Sequence, residues 1–531
     1  MQKMKRKIII ITTLFGLIIA AISFLCPLII KYIVEDINAN AFTNSDIRNY
    51  ILIIIGVYVL AFVFSSLSNL VRNRLSVGFK TMQSHKMYAW LMDMNYSAIA
   101  EKQPTYLADR IFNSIETIYT YYSSVAKDYI INGIIIAVCL ALAYYFSLWL
   151  GIVLSVMIPV YLVSYLLLNK KLQNKCVGLQ TITSKNFASV ISIINEVDFF
   201  KQLDTHENAL SLIDENINNI NKENAALTNF GQTIETIITT IIGLSNALVY
   251  IIISVDFVTG AITLSNYVFI SMVLGLFFPA ISGIVRANLS VRNIKAANDF
   301  IQNELLKNQE LSGDVKLDRV NTIEFDIPQF SYDKNPLLKN VNFSIKQSDK
   351  VFISGTSGCG KTSLVKGMLK FIDMDEIKVN GENIKNYENQ SYHSRFAFLS
   401  QNLPIIPGTL KKNILFGKNK DLDFLKSKKF MQKFFDAENG LDAVIYDNGA
   451  NLSGGDKQKI ALARLYLRDV DVVVLDESLN AIDDESKKDI LETLFTDFKD
   501  KTIIMISHET QLKEYFNTHY EIKNKTVVKV N

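Results

Sequence analysis

Apolar residues crowd the first half of this 531-residue chain. Residues 8–30, 51–71, 237–255 and 261–285 are nearly continuous apolar runs. Each has the length that one helix needs to cross a hydrocarbon core, about 20 residues. From Tyr129 to Leu168 no charged residue occurs. That stretch is twice a span, so it predicts a hairpin of two spans turning near Ser147. The pattern therefore gives six transmembrane helices. Two polar segments, 72–128 and 169–234, separate them and keep apolar residues at helical spacing, such as Leu107, Ile111, Ile115 and Ile118. At 1.5 Å per residue, two helical arms of about 25 residues would project on the order of 40 Å beyond the bilayer.

Charge sets the expected orientation. Lys3, Lys5, Arg6 and Lys7 precede the first span, and Arg72 and Arg74 follow the second. Lys170 and Lys171 follow the fourth, Arg286 and Arg292 the sixth, whereas the opposite loops carry Glu35, Asp36, Asp46 and Asp256. Basic residues stay cytoplasmic, which puts both termini and both arms on the cytoplasmic side of what is expected to be a bacterial cytoplasmic membrane. The first run follows a basic segment, as a cleaved leader does. It is too long for one and lacks a small-residue cleavage site, so a retained helix is expected. Composition agrees: 49% of residues are hydrophobic, 20% are charged, and the net charge is +3. Without a long basic block this balance gives no reason to expect a nucleic-acid partner. Cys26, Cys139, Cys176 and Cys359 lack metal-ligand spacing and read as unpaired small apolar residues.

Beyond residue 300 the pattern changes. Residues 301–320 are polar and read as a linker between a membrane domain, 1–300, and a domain over 321–531 in which strands alternate with helices. That alternation implies an α/β domain with a largely parallel sheet. Val351 to Ser354 is a short apolar strand running into GTSGCGKTS and then a helical pattern. This is the phosphate-binding loop in its strand–loop–helix setting. Gly355, Ser357, Gly358, Cys359 and Gly360 form the loop. Lys361 supplies charge to the terminal phosphates, Thr362 a hydroxyl for Mg²⁺, and Ser363 opens the helix. In VVVLDE, residues 472–477, a buried strand ends in two acids. Asp476 is placed to hold Mg²⁺, and Glu477 to act as general base toward water.

Between these motifs lies NLSGGDKQ, residues 451–458. With it the sequence resembles the ATP-binding-cassette (ABC) proteins, and the six spans with long cytoplasmic segments resemble their exporter branch. The resemblance implies an α-helical membrane domain fused to an α/β P-loop ATPase, working as a dimer of half-transporters. Ser453, Gly454 and Gly455 would bind the γ-phosphate held by the partner's loop. Tyr332 would stack on adenine, Gln401 would contact Mg²⁺, and His508 would be the switch histidine beside the γ-phosphate. Asp483, in NAID, would lie in the loop crossing the dimer interface. Short coupling helices are expected near 97–103 and 202–209.

The chain departs from the family pattern. Asp456 stands where glutamine or glutamate is usual, Lys459 where arginine is common, Asn480 in place of a serine, and Asp447 where exporters often have glutamate. Pro104-Thr105 stands where a glycine is usual. None removes a group needed for hydrolysis. The expected function is ATP-driven export by alternating access, as a homodimer or with a paralogous partner. Aromatic spans without internal charges point to an amphipathic cargo, a peptide or drug-like molecule first and a lipid next. An importer subunit is disfavoured by the fusion, and a regulator using ATP as a signal by Glu477.

Overall fold

The computed structural model describes residues 2–39, 44–203, 206–331, 336–374, 376–401, 403–446 and 449–530, the side chains at 44–45, 160–177, 180, 238, 285–286, 288–290, 292 and 510 excepted. Tyr332 and Asp447 lie outside the described residues, as does the side chain of Cys176. Contacts divide the chain into two compact units, Met1–Met94 with Ala98–Gln309, and Asn95–Ser97 with Glu310–Asn531.

The first unit is helical. Its elements are α1 (Gln2–Asn38), α2 (Asn44–Met92), α3 (Tyr96–Lys102, whose first two residues belong to the second unit), α4 (Pro104–Thr120), α5 (Ala126–Phe146), α6 (Leu148–Asn195), α7 (Val197–Gln202), α8 (His206–Val258) and α9 (Leu264–Phe300). The turn expected near Ser147 falls on it. Ser147 is extended, at φ −153° and ψ 122°, and its hydroxyl accepts the Leu150 N–H to cap α6. The helix breaks here because a capping hydroxyl satisfies a backbone donor that a continuous helix would have bonded to a carbonyl. Five helices among the described residues are long and apolar enough to cross a membrane, and Leu148–Pro159 of α6 is a shorter apolar stretch.

The polar segments are helical, as their spacing requires. Leu107, Ile111, Ile115 and Ile118 form the buried face of α4, packed with Ile8, Phe79 and Phe300. Pro104 opens α4, where its missing N–H costs nothing. Gln103 before it takes a left-handed φ of 66°. A π-type turn, Tyr121–Val125, joins α4 to α5. At 53 residues, α8 is about 80 Å long, far beyond a bilayer core of about 30 Å. A second core joins Leu150, Leu154, Val249, Ile253, Phe277 and Phe278. Ile51, Leu52, Tyr58 and Phe62 of α2 are exposed, as lipid-facing side chains are.

Of the two expected short helices, α3 falls on its segment. The second requires a correction. The short helix is α7 at Val197–Gln202, N-terminal to the expected 202–209. The chain turns earlier because Glu196, at φ −99° and ψ 21°, interrupts the helical run after Asn195.

The second unit is α/β. In order come β1 (Thr322–Ser331), β2 (Pro336–Lys346), β3 (Lys350–Gly355), α10 (Lys361–Met368), β4 (Ile377–Val379), β5 (Glu382–Asn383), α11 (Asn389–Ser394) and β6 (Phe396–Leu399). Then follow β7 (Gly408–Thr409), α12 (Leu410–Leu415), α13 (Gln432–Asp436), β8 (Val444–Ile445), α14 (Gly454–Leu465), β9 (Val472–Asp476), α15 (Asp484–Asp497), β10 (Thr502–Ile506), β11 (Thr518–Lys523) and β12 (Thr526–Val530). The main sheet has the order β12-β11-β3-β10-β9-β6, parallel except for β12. All five residues of β9 and of β10 are buried, as the apolar runs Val472–Leu475 and Ile503–Ile506 require of central parallel strands. A smaller antiparallel sheet, β2-β1-β4-β5, stands beside it.

Candidate nucleotide site

The register of the main sheet assembles the site. Leu399 of β6, Leu475 of β9 and Met505 of β10 pair across three neighbouring strands. Two residues past the first two of these positions the chain reaches Gln401 and Glu477, and His508 is three past the third. Ile353 of β3 pairs with Ile506, and the phosphate-binding loop follows β3 on the same sheet end. Ligands of open parallel sheets bind at this carboxyl end.

Glu477 is the hub. One carboxylate oxygen lies 2.7 Å from His508 Nε2, and the other accepts from Gln401 Nε2 at 3.3 Å. Its own N–H donates to Ile506 O at 3.0 Å. Glu477 adopts φ 49°, a left-handed backbone that side chains rarely take. Such strain costs roughly 1–3 kcal/mol and persists where surrounding bonds hold it. Here it turns Glu477 out of the strand toward Gln401 and His508, while Asp476 stays buried.

Thr362 Oγ1 donates to Asp476 Oδ1 at 3.3 Å. A hydroxyl and a carboxylate thus meet at one point, a hard-oxygen set that suits Mg²⁺. Burial, with Glu477 nearby, pushes the Asp476 carboxyl above its ordinary range, against the Thr362 bond and the lysines Lys366 and Lys361. The sign follows: a raised carboxyl favours the neutral form, so ionised Asp476 costs stability once the pH exceeds its folded value. Asp476→Asn is therefore expected to raise the thermal stability of nucleotide-free protein at pH 7, by about 1 kcal/mol, while losing Mg²⁺-dependent turnover. Differential scanning fluorimetry beside an ATPase assay checks both.

In the loop, Lys361 is buried and donates to Gly355 O at 2.9 Å and Thr356 O at 3.0 Å. A buried ammonium bonded to two neutral carbonyls is matched to an anion. Gly360 takes φ 107° and caps α10, with Thr362 and Ser363 in the first turn. Gly355, at φ 150°, has no room for a side chain: a Cβ there would sit 2.8 Å from Cys359 Sγ and 2.9 Å from Ile522 O. Ser357 and Gly358 are exposed at the tip, and Cys359 is a free thiol.

A separate group contains Ser453, Gly454, Gly455 and Asp483. Ser453 is the exposed N-cap of α14 in a reciprocal capping box with Asp456. A Cβ on Gly455 would lie 3.1 Å from Ala481 O, so α14 starts against the loop leading to Asp483. Asp483 caps α15 by accepting the Ser486 N–H at 2.9 Å, and hydrogen bonds from Ser486 hold its carboxyl below the usual range.

The sequence reading does not anticipate two lysines. Lys487 of α15 is buried and bonds both oxygens of Glu509, at 2.7 and 2.9 Å, pinning the helix after Asp483 to the residue beside His508. Lys433 of α13 bonds both oxygens of Asp456, at 2.9 and 3.1 Å. Burial works to raise the Asp456 carboxyl, but the bonds from Ser453 and Lys433 outweigh it and hold the group low. The only sequence signal for Lys433 is indirect: an acid at position 456 calls for a cation.

Comparison with known proteins follows from this geometry. The family model described as the ABC transporter transmembrane region matches residues 9–281, and the ABC transporter model matches residues 338–480. An "ATP-dependent lipid A-core flippase" of Vibrio vulnificus (strain YJ016) is 26% identical over 81% of this chain and 76% of its own. The protein of the same description from Escherichia coli O6:K15:H31 (strain 536 / UPEC) is 25% identical over 86% of this chain and 81% of its own. A solved bacterial Atm1-family ABC exporter with ATP bound superposes with a TM-score of 0.87 at 17% identity, covering 98% of this chain and 94% of that one. The chain belongs to the ABC transporters, as an integral membrane, exporter-type half-transporter whose ATPase domain binds and hydrolyses ATP.

Proposed function

We propose that this protein is an ATP-driven flippase, moving an amphipathic lipid across the membrane as a dimer. The support for the cargo is the pair of relatives, matched over more than three quarters of each chain, described as lipid A-core flippases. They favour the lipid over the peptide or drug-like cargo that the aromatic spans first suggest. Under this proposal six spans cross the membrane, with both termini and the ATPase domain, residues 321–531, in the cytoplasm. Residues 1–300 form the membrane domain, and 301–320 link the two.

Each chain contributes the loop 355–363 to one site and Ser453, Gly454 and Gly455 to the other. Lys361 and the N-terminus of α10 hold the β- and γ-phosphates, and Tyr332 stacks on adenine. Glu477 accepts the proton of the attacking water, and His508, 2.7 Å from it, orients its carboxylate toward the γ-phosphate. Gln401 leaves Glu477 as the site closes, and its carbonyl oxygen joins Thr362 and Asp476 in the positions that would hold Mg²⁺. The ion, when bound, neutralises charge on the phosphate oxygens. Asp483 carries the closure across the interface. Closure on ATP moves the helical arms and turns the cavity outward; hydrolysis reverses it.

Proteoliposomes carrying fluorescent lipid A test the cargo. The expected result is ATP-dependent transfer of label between leaflets, read with a membrane-impermeant quencher and absent in Glu477→Gln vesicles. Unchanged lipid distribution beside ATP-dependent peptide accumulation would overturn the lipid reading.

A further inference from the structure

The departure at position 456 changes the chemistry of the serine beside it. Ser453 has one hydroxyl proton, and it goes to Asp456 Oδ2 at 2.7 Å. The same oxygen takes the Ser453 N–H at 3.3 Å, and the serine oxygen accepts Asp456 N–H at 3.1 Å. Both Ser453 donors that could face an incoming phosphate are thus engaged by a carboxylate. That carboxylate also puts a negative charge at the start of α14, where the helix N-terminus would otherwise attract an anion. A glutamine at this position would carry no such charge.

Lys433 answers both effects. Its ammonium reaches both carboxylate oxygens, including the one that holds the serine proton. Lys433 sits on α13, 23 residues before Asp456, so neither helix periodicity nor a shared turn pairs them. The lysine is two-thirds exposed while Asp456 is nearly covered, at 67% and 11%. The cation therefore approaches a fixed carboxylate from the solvent side.

We infer that Lys433 is a positioning residue for ATP turnover: by neutralising Asp456 it releases the Ser453 hydroxyl to a γ-phosphate and removes the repulsion that phosphate would meet. This rests on the proposal that Ser453 receives the γ-phosphate held by a second copy of the chain. When phosphate arrives, the serine O–H turns from Asp456 Oδ2 to a phosphate oxygen, and the existing bond from Lys433 keeps that carboxylate oxygen satisfied. No covalent bond changes. In this chain Asp456 and Lys433 together do what an uncharged side chain could do alone.

The test uses the purified full-length protein in nanodiscs, with ATP as the titrated probe. Lys433→Met is expected to raise the KM for ATP about fivefold, the scale of one partly exposed charge-assisted contact, with kcat within about twofold. Lys433→Arg should restore the wild-type KM. In an Asp456→Gln background, Lys433→Met should have no further effect, because no carboxylate remains to be neutralised. An unchanged KM in Lys433→Met, or an equal rise in both backgrounds, would overturn the inference. Ser453→Ala separates it from the reading beneath: undiminished turnover in that variant refutes the γ-phosphate role of Ser453 itself, whatever Lys433 does.

Discussion

Glu477→Gln is expected to lower the ATPase kcat by about a thousandfold, within the range a positioned general base supplies, while leaving ATP affinity near wild type. The amide keeps the size of the carboxylate and can still lie beside His508 and Gln401, so the crevice keeps its shape. What it loses is the capacity to take a proton from water. Under the proposed cycle, in which closure follows binding and reopening follows hydrolysis, the closed, ATP-bound dimer should then accumulate. Rapid-quench measurement of phosphate release, beside equilibrium binding of labelled ATP, reads the two effects apart. Substantial turnover in this variant would remove Glu477 from its role. It would also remove the explanation for the left-handed backbone at φ 49° that turns it out of its strand.

Lys361→Ala acts one step earlier. The ammonium is buried and, among the described residues, hydrogen-bonded to the loop carbonyls Gly355 O and Thr356 O. Truncating a charged partner in a covered site costs about 3 kcal/mol, on the order of a hundredfold in Kd. ATP binding should fall by that amount, and transport should vanish with it. Unlike Glu477→Gln, this variant should not trap nucleotide, so the two failures differ in a nucleotide-retention assay.

Local rules made much of this legible in the sequence. A 40-residue stretch without charge cannot be one span, and a hydroxyl cap at Ser147 divides it. Leu107, Ile111, Ile115 and Ile118 share one helical face, and that face is buried. The phosphate-binding loop and VVVLDE announce themselves because backbone geometry and metal ligation tolerate few residue types. Gln401, Glu477 and His508 are far apart in the chain, and only strand register brings them together. The family resemblance assigned Gln401 and His508 to the nucleotide in advance, whereas periodicity could not.

Other features depend on tertiary contacts that leave no local trace. Lys433 meets Asp456, and Lys487 meets Glu509, across sequence separations of 23 and 22 residues. Surface-like lysines are common, and nothing in their neighbours marks these two. The second short helix was displaced because helix ends depend on a single residue's dihedral, here at Glu196. The proposed lipid cargo rests on the descriptions of relatives rather than on any charged group inside the spans.

The composite site is the claim on which the rest depends, and mixed dimers test it most directly. Two differently tagged subunits are co-purified with Lys361→Ala and Ser453→Ala placed either on the same subunit or on opposite subunits. If each site joins one subunit's phosphate loop to its partner's α14, the same-subunit arrangement spoils both sites and hydrolysis falls to background. The opposite-subunit arrangement spoils one site twice and leaves the other whole, with about half of wild-type turnover if the sites act independently. The reverse pattern, activity with both substitutions in one subunit and none when they are split, would contradict the account.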